Sequence, residues 1–249
     1  MRILFRLIVL LLGTTAMAVG ALAAPRLTIP ETEFDFGFSP QNSAISHIFW
    51  LHSTGDDSLK IVKVTPGCGC TQTPLQKDHL AAGDSTQLEV IFSTGQYSNQ
   101  VTKTPRIATN EGPPDKMVRI TTYVRLPTDS SYPVVITPEK IELPQGNGQL
   151  GNDMKFAIRN VSQQTLSPTL VSSPSEFVEI ILPKQIGAGK TGEGTIRVKK
   201  EFIDKAFGKS FTLQFNDEKK SRFTVPVMRT LATAEPLVKP KATVPAGQH

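Results

Sequence analysis

Two cysteines, Cys68 and Cys70, are the only ones in a chain of 249 residues, and a single glycine, Gly69, separates them. Two residues of extended chain span about 6.6–7.2 Å, whereas a disulfide needs Cα atoms about 4.4–6.8 Å apart. Joining the pair therefore requires the bend that Gly69 permits. So small a ring removes little chain entropy from the unfolded state, and its strain would make the bond easy to reduce. Three chemistries are open: a structural pair, oxidised or reduced, packed as small apolar side chains; a labile thiol–disulfide redox site; or a soft-metal site for Cu(I) or Zn(II). Two thiolates fall short of a closed zinc site, so a metal would need further ligands. His79, nine residues after Cys70 and on the approach to a strand, is the best-placed helper, which makes Cys68, Cys70 and His79 the candidate metal set. His47 and His52 are five apart, an odd spacing that puts them on opposite faces of a strand, so they cannot serve one ion together. A surface position without a ligand role is the ordinary expectation for lone histidines, and His249 carries no inference.

The elements that must hold this pair are strands. Short runs of β-branched and aromatic residues cover 45–51, 59–64, 87–92, 106–109 and 117–125, and turn formers separate them, as in Ser53-Thr54-Gly55-Asp56-Asp57 and Thr65-Pro66-Gly67. Phe34 and Phe36 alternate with Asp35, so both rings face one side of a strand, toward a core, and Gly37 after them permits a bend. The same order of elements then recurs. Phe49, Leu51, Ser53 and Leu59 correspond to Phe156, Ile158, Asn160 and Leu166 at a constant offset of 107, and Gly83 to Gly189 at 106. A repeat of that length has the size of a whole sandwich, not of a solenoid unit. The predicted fold is all-β, two tandem immunoglobulin-like sandwiches: residues 24–127, a Pro-interrupted linker over 128–133, and residues 134–231. Residues 232–249, rich in Pro, Ala and Lys, read as a disordered tail.

Residues 1–23 have the three parts of a secretory signal peptide: Arg2 and Arg6, an apolar run from Leu7, and the small-residue end Ala21-Leu22-Ala23. Cleavage after Ala23 would start the mature chain at Ala24; the alternative is an uncleaved membrane anchor, since 7–24 is just about long enough to span. No later stretch is long and apolar enough for a membrane span, which places the protein in the periplasm or outside the cell. With 39% hydrophobic and 20% charged residues the chain can build cores. Its formal charge of +5 drops to +3 once Arg2 and Arg6 are removed, so a nucleic-acid partner is not supported.

Phe34-Asp35-Phe36-Gly37, Ser53-Thr54-Gly55-Asp56, Cys68-Gly69-Cys70-Thr71 and Ala82-Gly83 stand in an order that resembles the bacterial domain of unknown function 1573 family. The resemblance covers residues 27–126 and implies an immunoglobulin-like sandwich similar to major sperm protein and Hydin-type domains. Ser53 stands where the family usually has Asn, Gly67 where Ser is common, and Ala82 where Pro is usual. The second repeat has Ser175-Glu176-Phe177 near the place of the cysteine block, so it lacks whatever chemistry the cysteines have. Asn160-Val161-Ser162 matches the glycosylation pattern, read as coincidence in a chain resembling a bacterial family.

The chain has no nucleophile-elbow, zincin or phosphate-loop motif. The expected function is that of a non-enzymatic, cofactor-free binding or scaffold protein of the cell envelope, holding an unknown protein partner on loops or strand edges. The alternative is a periplasmic thiol-redox or soft-metal-handling protein that works through Cys68 and Cys70.

Overall fold

A computed structural model describes residues 23–143 and 153–230. The expected signal peptide, all but its last residue, and the expected tail over 232–249 lie outside the described residues. The first half contains β1 (Leu27–Thr28), β2 (Glu33–Pro40), β3 (Ala44–Ser53), β4 (Leu59–Thr65), β5 (Thr71–Gln72), β6 (His79–Leu80), β7 (Ser85–Ser93), β8 (Asn99–Lys103), β9 (Arg106–Thr109), β10 (Lys116–Met117) and β11 (Arg119–Arg125). The second contains β12 (Val134–Thr137), β13 (Ile141–Leu143), β14 (Asp153–Asn160), β15 (Pro168–Ser172), β16 (Val178–Ile181), β17 (Thr191–Val198), β18 (Phe207–Phe215) and β19 (Arg222–Arg229). The only helical element among the described residues is one short 3-10 turn, Lys200–Phe202. The fold is all-β and sandwich-like, as the alternating runs predict.

Alternation of burial explains why these segments are strands. Along β7 every second residue is buried (Thr86, Leu88, Val90, Phe92), and β11 buries Ile120, Thr122 and Val124. In the first half β1, β3, β7 and β5 form one sheet in that order, and a second joins β10, β9, β4 and β6. In the second half β12, β14, β17 and β16 form the matching sheet. The repeat read from the sequence has structural equivalents. Phe49 and Phe156 are both in the core, as are Leu51 with Ile158 and Leu59 with Leu166, and β3 pairs with β7 as β14 pairs with β17, antiparallel. Each fully buried aromatic or aliphatic side chain of this kind contributes about 1.5–3 kcal/mol relative to exposure.

The two halves have separate hydrophobic clusters, and they also share a sheet. Its strand order is β15, β18, β19, β2, β11, β8, with β13 paired to β19 as a seventh strand. The join is between β19 and β2, which run parallel with Phe223 opposite Phe38. Here the Thr224 hydroxyl donates to the Phe36 carbonyl at 2.7 Å, and Arg222 donates to the Asp35 carbonyl at 3.0 Å. Gly37 makes the approach possible: its φ is +63°, and a Cβ built on it would sit 2.2 Å from the Arg222 carbonyl oxygen. Phe38 of the first half packs on the second core, and Val171 of the second half packs on the first. Farther along the seam, Lys209 on β18 donates to both carboxylate oxygens of Glu89 on β7 at 2.8 and 2.6 Å.

Candidate functional site

The cysteines follow β4. Pro66-Gly67 turns the chain, with Gly67 at φ +87°, and Cys68-Gly69-Cys70 then delivers it to β5, whose Thr71 and Gln72 pair with Phe92 and Ile91 of β7. Two backbone bonds fix the block: the Ser93 amide donates to the Cys70 carbonyl at 2.9 Å, and the Thr71 amide to the Cys68 carbonyl at 3.3 Å. Cys68 and Cys70 are joined as a disulfide, with Cα atoms 5.3 Å apart. That separation is well short of two extended residues, so the bend expected at Gly69 is present. Gly69 itself is exposed, and a side chain there would meet nothing.

The two sulfurs have different surroundings. Cys68 Sγ lies 3.3 Å from the hydroxyl of the buried Thr71, which is 3.9 Å from Cys70 Sγ. Cys70 packs against the first core and accepts a hydrogen bond from the Tyr97 hydroxyl at 3.5 Å. Lys103 on β8 donates to that phenol oxygen at 3.3 Å. Its ammonium also stands 4.6 Å from the centroid of the Tyr97 ring and 5.4 Å from that of Phe92, within range of a cation–π contact with each. The loop carrying Tyr97 is pinned by Gln41, whose amide donates to the Tyr97 carbonyl at 2.8 Å. Tyr97 and Lys103 carry no sequence motif. Tyr97 meets Cys70 across 27 residues of chain, and Lys103 joins them through the Tyr97 hydroxyl.

His79 lies on β6 opposite Lys60 of β4. It is exposed, and its Nδ1 is 2.9 Å from the Asp78 carboxylate; the same hydrogen bond holds the Asp78 carboxyl below the usual carboxylate range. Among the described residues, no group of three or more His, Cys, Asp or Glu side chains is placed to hold a metal ion. Cys68, Cys70 and His79 are thus not assembled into a ligand set, and the sulfurs are spent on each other.

The ordinary expectation of a surface position fails for His47. It is buried and lies on the core side of β3 with Ile45, Phe49 and Leu51, opposite the half-buried His52, as the odd spacing requires. Its ring stacks on Phe34 with centroids 3.6 Å apart, Nδ1 is 3.0 Å from the Ser172 hydroxyl of β15, and Nε2 is 3.1 Å from Glu31. Burial pushes its pKa below the ordinary histidine value, Glu31 opposes that shift, and Arg222 adds to it. The signal was present in the alternation around Ile45, but Ser172 comes from the other half of the chain. His47, Trp50, Ser172, Glu89 and Lys209 line a cavity of about 280 Å³ between the halves.

A family model described as "Protein of unknown function (DUF1573)" matches residues 27–124, bearing out the resemblance carried by the Cys-Gly-Cys-Thr block. No curated protein matches the chain. Among solved structures, the chain is similar to a protein of unknown function from Porphyromonas gingivalis W83, at 14% identity and a TM-score of 0.35 over 82% of this chain and 98% of that one. It is also similar to the ASH/PapD-like domain 7 of human CEP192, at 6% identity and a TM-score of 0.33 over 41% and 87%. A third similar structure is the Caenorhabditis elegans major sperm protein family member WR4, at 13% identity and a TM-score of 0.30 over 39% and 98%.

Proposed function

On the premise that residues 27–124 match the DUF1573 family model, we propose that the protein is an exported binding or scaffold protein of the bacterial cell envelope. It holds an extended segment of a protein partner and performs no catalysis in doing so. One observation carries this reading: the seven-stranded sheet ends, on the side of the first half, in β8, which among the described residues pairs only with β11. A strand paired on one side leaves backbone donors and acceptors on the other, where an extended peptide can add itself. Gln100 and Thr102 of β8 are exposed. The signal-peptide pattern of residues 1–23 supports the location, and no helix among the described residues is long and apolar enough to cross a membrane.

Photo-crosslinking tests this function. A photoreactive amino acid at Thr102 should capture a discrete envelope partner, and one at the exposed Lys155, which pairs with Glu193 on another sheet, should not. Equal capture from both positions, or none from Thr102, would refute docking at this edge.

A second reading is favoured by the cystine with Tyr97 and Lys103 beside it. In this reading the protein exchanges its Cys68–Cys70 disulfide with thiols. Three-residue rings gain little from loop closure, so structural stapling gives a weak reason for the bond to exist.

A further inference from the structure

We propose that the cystine is polarised: an external thiol attacks Cys68, and Cys70 leaves as a thiolate held by Tyr97 and Lys103. The inference rests on the thiol-exchange reading above and adds to it a direction and two positioning residues. Cys70 is the sulfur beside the donor pair. The Tyr97 hydroxyl donates to it at 3.5 Å, and Lys103 donates to that hydroxyl at 3.3 Å. A cation bonded to a phenol oxygen makes the phenol a stronger donor, and a donor stabilises a thiolate more than a disulfide sulfur, because charge-assisted bonds are the strong ones. Cys68 has only a neutral partner at comparable distance, the Thr71 hydroxyl. Access points the same way. Cys70 packs on the core, whereas Cys68 stands outside that cluster and next to the exposed Gly69.

A thiolate RS⁻ forms a bond to Cys68 Sγ, the Cys68–Cys70 bond breaks, and its electron pair goes to Cys70 Sγ. A second RS⁻ then attacks the external sulfur of the mixed disulfide and releases the Cys68 thiolate. Two thiols are oxidised to one disulfide, the cystine is reduced to two cysteines, and the protons given up by the attacking thiols end on Cys68 and Cys70. The lower the pKa of the leaving thiol, the faster the first step.

The substrate class is a thiol, and reduced glutathione serves as the probe. The oxidised full chain is mixed with glutathione, quenched in acid and mapped by peptide mass. Glutathione should be found on Cys68. Tyr97→Phe should slow the first step about three- to tenfold, Lys103→Gln should slow it less, and Lys103→Arg should restore it. In the reduced protein, the pH dependence of alkylation should give Cys70 the lower thiol pKa of the two, and Tyr97→Phe should abolish the difference. Both positions lie near the surface, and the mapping needs no variant. Glutathione on Cys70, or an unchanged rate in Tyr97→Phe, overturns the polarity while leaving thiol exchange standing. A native chain whose disulfide resists glutathione altogether overturns both.

Discussion

Ser53 and Asn160 hold the same place in the two halves, at the ends of β3 and β14. Their backbones behave alike: the Ser53 amide donates to the Asp84 carbonyl, and the Asn160 amide to the Lys190 carbonyl, each at 2.9 Å. Their side chains do not. Asn160 Nδ2 donates to the carbonyls of Gln164, Ile186 and Gly187, and its Oδ1 accepts from the amide and the hydroxyl of Ser162. One buried amide thus ties two loops together, and because Asn160 is fully buried the glycosylation-like pattern around it has no access to solvent. The Ser53 hydroxyl is also buried, and it has no partner among the described residues. A hydroxyl is shorter than a carboxamide and cannot reach both loops. The first half holds its loops by backbone contacts instead: Gly83 to the Ser53 carbonyl, and Thr54 to the Arg26 carbonyl. The same position is a clamp in one half and an unsatisfied group in the other.

Asn160 carries most of the difference between the two halves. Asn160→Ala strands three carbonyls and the Ser162 groups, and should cost about 3–5 kcal/mol in urea denaturation; a loss under about 1 kcal/mol would mean that Asn160 is no clamp. Next comes the seam. Glu89→Ala leaves Lys209 partly buried without its carboxylate, and should cost about 2–4 kcal/mol. It should also separate unfolding into two steps, the first half melting earlier, and calorimetry would show whether a single transition persists. Ser53→Asn supplies the missing amide and should stabilise the first half by about 1 kcal/mol; no gain would show that the loops there cannot accept it.

The smallest effect is that of pH. His47 has a folded pKa lowered from 6.5, chiefly by burial, so the unfolded state binds its proton more readily. Its stabilising contribution is complete above about 6.5 and is lost as pH falls through the folded value. The midpoint of urea unfolding should therefore drop on mild acidification, and His47→Gln should remove that part of the slope. Because His47 touches Ser172 across the seam, the loss should fall on the contact between the halves more than on either core.

Much of this was legible in the residues, and the exceptions share a cause. The alternation in 87–92, the run 106–109 and the offset of 107 specify strands and the repeat, because a half-buried strand must alternate. Phe34 and Phe36 belong to the core for the same reason. The bend at Gly69 follows from bond lengths. What could not be read was contact between residues far apart in sequence: Tyr97 and Lys103 beside Cys70, Ser172 against His47, and β19 beside β2. The pairing of His79 with the cysteines was suggested by closeness in sequence, and β6 carries it to Lys60 instead. Gly37 permits a bend, and its lack of a side chain also admits the Arg222 carbonyl.

That last contact has a consequence for the order of events as the chain is made. Thr224 and Phe36, which bond across the join, are 188 residues apart, and synthesis proceeds from the N-terminus. β2 pairs with β11 once the first half has emerged, but its other side waits for β19, the last of the described strands. Pairings of such long range form late and slowly, and an unpaired strand edge is where chains associate wrongly. The nascent first half therefore passes through a stage in which Phe38 has Tyr123 beside it but not Phe223, the open side of β2 is bare, and the strand that completes it is the last of the described ones.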